Sequence, residues 1–167
     1  MFELLIDVLH SMAVSIGVGA STLAIVFYFC SIGDGQIDEG ERRSLGIIYV
    51  VLRVAMVLIL LFFSAISIIV YNYLGIDALL SSSILFEWLL IFVLYANAIL
   101  MTLHIMPMKI GPALQASTWY SLGITVALLP LTLPLTTYLG LYAGFALFVI
   151  VLVEIILRII QRRSKGG

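Results

Sequence analysis

The sequence predicts an all-α protein, a polytopic transmembrane bundle of five helices with its N-terminus outside and its C-terminus in the cytoplasm. Three observations predict it. Hydrophobic residues make up 63% of the 167 and charged residues only 10%. Five apolar runs are each long enough to cross a bilayer. The basic residues fall into alternate loops. A soluble domain needs about a quarter of its residues charged. With a mean hydropathy of +1.25, this chain cannot cover a water-facing surface, and its solvent is predicted to be lipid.

A membrane helix needs about 20 mostly apolar residues. The runs are 4–29, 45–71, 78–103, 113–133 and 137–160, together one transmembrane domain. The fourth is the most polar, opening with Gln115, Ser117 and Thr118 and closing between Pro130 and Pro134. Pro112 suits a first helical turn, where its missing N–H costs nothing. The chain starts with acidic Glu3 and Asp7, not with the basic residues of a secretory signal, so none is expected.

Orientation follows from Lys and Arg in short loops, which favour the cytoplasmic side. Arg42 and Arg43 occupy the first loop, Lys109 the third, and Arg158, Arg162, Arg163 and Lys165 the C-terminal end. The second loop, the fourth loop and the N-terminus have no Lys or Arg. Five spans put every basic loop on one side; four or six would mix them. The basic tail, 158–167, reads as an anchor to anionic headgroups. No basic stripe suggests nucleic acid.

Small residues let membrane helices approach closely. The first run carries two such stripes, Ser11-Ser15-Gly19 and Ala13-Gly17-Ser21, which predict a helix inside the bundle. Gly140 and Gly144 form a Gly-xxx-Gly pair, a candidate homo-oligomer contact. Cys30, the single cysteine, excludes an intrachain disulfide and reads as a small buried hydrophobe.

The loop from Gly33 to Glu41 has two readings. Asp34, Asp38 and Glu41 resemble the second half of a calcium-binding loop. Positions one and three of that loop need oxygen ligands, and here they would be Cys30 and Ile32. The preferred reading is structural. Gly33-Asp34-Gly35 is a tight turn, and Asp38 with Glu41 is a capping box for the second helix.

Ionisable residues at membrane depth cost at least about 2.5–3.5 kcal/mol and are functional candidates. At about 1.5 Å per residue, Arg53 and Glu87 both fall near the midplane, and Glu154 lies about 12 Å inside the cytoplasmic edge. Glu87 and Glu154 are the candidate partners of Arg53. The rival reading is a lock that holds the bundle. Asn97, Met101 and His104 share a face, and with Gln115, Ser117, Thr118, Trp119, Tyr120, Arg53 and Glu154 they could line an inward-facing pocket; in the rival reading the hydroxyls bond their own helix. Trp119 and Tyr120 read instead as interfacial anchors. On the outer side, Asp7 and His10 are a candidate proton site beside Ser11 and Ser15.

Three stretches carry a resemblance: Leu9-His10 followed by Gly17 and Gly19; Asp34-Gly35-Gln36-Ile37 with Glu41; and Ala116-Ser117-Thr118-Trp119-Tyr120. Together they resemble a family of small, uncharacterised bacterial multi-helix membrane proteins. The resemblance implies a multi-pass protein of the cytoplasmic membrane of a prokaryote and adds no chemistry. The Leu-His start also resembles haem-binding membrane cytochromes.

Three functions compete. In the leading one the chain is a small transporter, an ion- or proton-translocating protein, or an accessory subunit of one, with Arg53, Glu87, Glu154 and Asn97 on the path. In the second it is a redox component binding haem or quinone, with His10 or His104 as ligand. Two ligands on one haem must lie together, whereas His10 and His104 fall near opposite edges. In the third, these residues only lock helices in a structural or assembly factor. No nucleophile elbow, phosphate loop or helical metal pair marks an enzyme, and no cofactor is predicted.

Overall fold

The structure is a computed structural model, and it describes residues 1–33, 38–107, 110–127 and 133–164. Every regular element among them is helical: α1 (Phe2–Gly33), α2 (Glu39–Leu74), α3 (Ile76–Leu79), α4 (Ser82–Thr102), α5 (Ile110–Ala127) and α6 (Leu135–Ser164). Four of them, α1, α2, α4 and α6, are long and apolar enough to cross a membrane.

α1, α2 and α6 overrun the apolar runs that predict them. α2 begins at Glu39 because the capping box forms there. Asp38 Oδ1 accepts the Glu41 N–H at 2.6 Å, and the Glu41 carboxylate accepts the Asp38 N–H at 3.1 Å. Two donors that a helix start leaves unpaired are thereby satisfied. Asp34 and the turn at Gly35 lie outside the described residues.

The expected third helix, 78–103, divides. Gly75 takes φ 82, a left-handed conformation that glycine adopts without steric cost. It turns the chain into the single turn α3 before α4 starts at Ser82. α6 starts just after Pro134, whose carbonyl accepts the Thr137 N–H at 3.0 Å. It continues through the expected basic tail to Ser164; Lys165 lies outside the described residues.

α5 sits at the centre and packs on α1, α4 and α6. It carries the polar side chains that kept its run from reading as strongly apolar. Those groups bond inside the bundle. Ser121 and Thr125 each donate to the carbonyl four residues back, at 2.8 Å. Thr118 donates to Leu114 O at 2.7 Å and shares a 2.9 Å hydrogen bond with Tyr142. Tyr120 shares one of 2.7 Å with Thr22 of α1. A polar group left unpaired in an apolar medium costs several kcal/mol, so this helix belongs inside.

Trp119 is 0% exposed. It corrects the expectation of an interfacial anchor. Its ring lies flat against Gly17, where an added Cβ would collide with the indole. The two small-residue stripes of α1 therefore part company. Ala13, Gly17 and Ser21 face inward, while Ser15 and Gly19 are exposed. Gly140 and Gly144 are exposed too, with open space where side chains would be, so neither makes a close crossing within the chain. Cys30 is exposed, not buried as its composition class suggests.

A candidate proton pair and a basic cavity

α4 spans about 31 Å at about 1.5 Å per residue, close to the roughly 30 Å of a bilayer core, and so serves as a ruler. Its start, with the start of α1, marks the N-terminal end of the bundle. Its end, with Arg42 and Arg43 at the start of α2, marks the basic end.

Near the N-terminal end, His10 of α1 meets Glu87 of α4. His10 Nε2 lies 2.8 Å from Glu87 Oε1, and each residue is only 5% exposed. Distance is satisfied but direction is not: neither atom has an aligned hydrogen-bond partner. The pair sits in an aromatic wall. His10 stacks on Phe63 at 5.6 Å, and Phe63 packs on Trp88 at 5.2 Å. Trp88 Nε1–H donates to Ser67 Oγ at 3.1 Å, which ties α4 to α2. Glu87 lies five residues into α4, about 8 Å from that end. This is shallower than its run implied, because α4 starts at Ser82.

Glu87 is therefore not the partner of Arg53, and neither is Glu154. Glu154 is half-exposed and accepts from Arg158 Nε at 3.1 Å, an i,i+4 pair on the outside of α6. Asp7 is exposed on the outward face of α1 with Ser11 and Ser15. His10 points to the other side of the same helix, so the two residues of the expected outer proton site are separated.

Asn97 lies toward the basic end and is 2% exposed. Its amide nitrogen donates to Gly111 O and to Gln115 Oε1, both at 2.9 Å. This clamps the start of α5 to α4. Its own Oδ1 is unpartnered, as is Trp119 Nε1.

Beyond this clamp is a cavity of 340 Å³ whose lining includes Arg53, Met56, Met101, His104 and Gln115. Of the expected inward-facing pocket, Arg53, Met101, His104 and Gln115 are brought together here, while Ser117 and Thr118 bond their own helix at Leu114 O. Glu154 does not line it, and Asn97 stands behind Gln115. Arg53 shares the cavity with Thr102, the last residue of α4. It is exposed and lies near the basic edge of the bundle. It lies nearer the basic end than its run implied, because the 36 residues of α2, about 54 Å of helix, reach past the end of the shorter α4.

His104 closes α4 in an unusual way. It takes φ 57. Its N–H donates to Met101 O at 3.1 Å and the Ile105 N–H to Leu100 O at 3.0 Å. This pattern ends many helices and normally places glycine at the left-handed position. The two histidines lie at opposite ends of the bundle, about 25 Å apart along α4 by helical rise, and do not come together as ligands of one group. Among the described residues no three His, Cys, Asp or Glu side chains cluster.

The buried pair was missed in the sequence because His10 was grouped with its neighbours Asp7 and Ser11. The available signal was depth: His10 and Glu87 each lie about two turns from the same end of their helices. No family model, curated protein or solved structure matches this chain.

Proposed function

We propose that this chain is a small proton-handling membrane protein, a proton-coupled carrier or the proton-carrying subunit of one. The His10–Glu87 pair carries the reading. Two ionisable side chains at membrane depth are kept only where they repay their burial. An imidazole and a carboxylate at 2.8 Å can exchange one proton between Nε2 and Oε1 once a side-chain rotation aligns them, with no other reagent. Imidazole is the side chain whose type changes charge around physiological pH.

Five crossings support the same reading. α5, 18 residues and about 27 Å long, runs the length of the bundle and hides its polar groups inside it. Counting it puts the two termini on opposite sides. The basic end then faces the cytoplasm by the Lys/Arg rule, in the cell membrane that the bacterial resemblance implies.

The test is proton flux into liposomes holding the purified protein, with an internal pH dye and a potassium-diffusion potential. The wild type acidifies the lumen. Glu87→Gln keeps the shape, removes the exchangeable carboxyl and lowers the rate at least tenfold at unchanged thermal midpoint. Equal rates for the two proteins sink the proposal and leave the pair as a helix lock.

A further inference from the structure

Arg53 is one of the cations without an ion-pair partner among the described residues. No carboxylate among the described residues pairs with it, and no described group accepts a hydrogen bond from it. Yet it stands at the mouth of a 340 Å³ cavity, a volume within the range of about 300–1,000 Å³ typical of ligand sites.

The cavity has a side door. Two side-chain hydrogen bonds join α2 to α4 among the described residues. One is Trp88 to Ser67, and the other runs from Tyr95 Oη–H to Met56 O at 3.0 Å. Both lie on the N-terminal side of Arg53. Toward the basic end a lateral groove of 440 Å³ lies between the two helices, lined by Val57, Tyr95, Ile99 and Leu103 among others. Groove and cavity share Arg53, Met56, Ala98 and Thr102. The groove is apolar and faces where acyl chains lie. The cavity holds the polar groups.

Two further polar groups look into the cavity. Gln115 is 8% exposed. Its oxygen is taken by Asn97, while its amide nitrogen has only the Met56 thioether, at 3.7 Å, a weak acceptor. That leaves a buried donor under-used. His104 holds its imidazole at the cavity from a left-handed backbone, a conformation that costs a non-glycine residue of order 1–3 kcal/mol and clusters at functional sites. Donors and a cation converge, and among the described residues no carboxylate lines the cavity.

We infer that this cavity and groove form a binding site for one anionic phospholipid drawn from the adjacent leaflet. The phosphate sits against the Arg53 guanidinium, the Gln115 amide and His104. One acyl chain leaves along the α2–α4 groove. Basic pockets between membrane helices are suited to such headgroups, and a guanidinium matches phosphate oxygens in bidentate fashion. The site is separate from the His10–Glu87 pair, so it stands if proton flux fails.

The experiment is native mass spectrometry of the whole protein in a neutral detergent with dioleoyl phosphatidylglycerol, dioleoyl phosphatidylcholine or sn-glycerol 3-phosphate added. The wild type is expected to retain one phosphatidylglycerol with at least tenfold preference over phosphatidylcholine. Arg53→Gln abolishes that preference at unchanged thermal midpoint, and Arg53→Lys restores part of it. His104→Gly weakens retention about threefold without lowering the midpoint, because glycine relieves the left-handed backbone. Three results overturn the inference: equal retention of both lipids, undiminished preference in Arg53→Gln, or displacement of the lipid by an equal concentration of glycerol phosphate, which would point to a soluble phosphate ligand. Unchanged retention in His104→Gly overturns the part assigned to that residue.

Discussion

The two ends of this bundle treat ionisable groups in opposite ways. At the N-terminal end His10 and Glu87 have each other and almost no solvent. At the basic end Arg53 is exposed, has no described partner and borders a cavity that opens sideways. The cause is how α2 and α4 are fastened. Trp88, Phe63 and His10 stack across the first end, and Ser67 anchors the tryptophan. Past the Tyr95–Met56 bond no side-chain hydrogen bond among the described residues joins the two helices, and the Arg53 head has no described partner at that level. The same cost of charge in an apolar medium thus accompanies a sealed pair at one end and an exposed arginine beside a cavity at the other. The comparison also separates burial from mere pairing. Glu154–Arg158 is nearly as short as His10–Glu87, but it lies on the outside of a helix.

The sharpest way to break the contrast is to unpair the sealed end. Glu87→Ala leaves His10 buried alone, and removal of one partner of a buried pair costs about 3–5 kcal/mol. His10→Ala with Glu87→Ala should recover most of that loss. Reversible unfolding in mixed micelles measures both, and a double variant as unstable as the single one would mean the pair is not coupled. The wall between the ends is the next target. Gly17→Ala drives a methyl into the Trp119 ring, and overpacking of a tight core costs about 1–3 kcal/mol. The control Gly19→Ala, which meets open space, should change the same unfolding midpoint little. The smallest effect belongs to the outside of α6. Glu154→Ala removes an exposed i,i+4 pair, whose kind is worth about 0.3–0.5 kcal/mol. A loss as large as that of Glu87→Ala would show that pairing, and not burial, sets the cost.

Much of the fold was legible in the residues. The capping box at Asp38 and Glu41 was readable because it is a contact between groups three residues apart, and it formed as expected. The inward stripe Ala13-Gly17-Ser21 was also readable as a surface for close packing. Periodicity could not say which of the two adjacent stripes of α1 faces inward, since both carry small residues. Trp119 misled for a related reason. An aromatic after a loop suits the membrane interface, and only the gap left by Gly17 on another helix makes room for it at the core. The site was legible in its members and not in its pairings. Arg53, Glu87, Asn97, His104 and Gln115 all stood out as polar groups in apolar runs. Depth counted from the apolar edge put Arg53 near the midplane, whereas the structure sets it beside Thr102 at the end of α4, because α2 reaches past that end.

By itself, then, the sequence determined the all-α class, the long apolar helices, the cap of α2 and the short list of costly polar residues. Each depends on composition or on neighbours within a few residues, where free energies are local. Only the tertiary structure decided that His10 belongs to Glu87, that Arg53 pairs with none of the described carboxylates, and that the polar α5 runs through the middle. Those outcomes depend on the rotation and overrun of whole helices. A turn of about 100° per residue moves a side chain from lipid to core without changing a single neighbour in the chain.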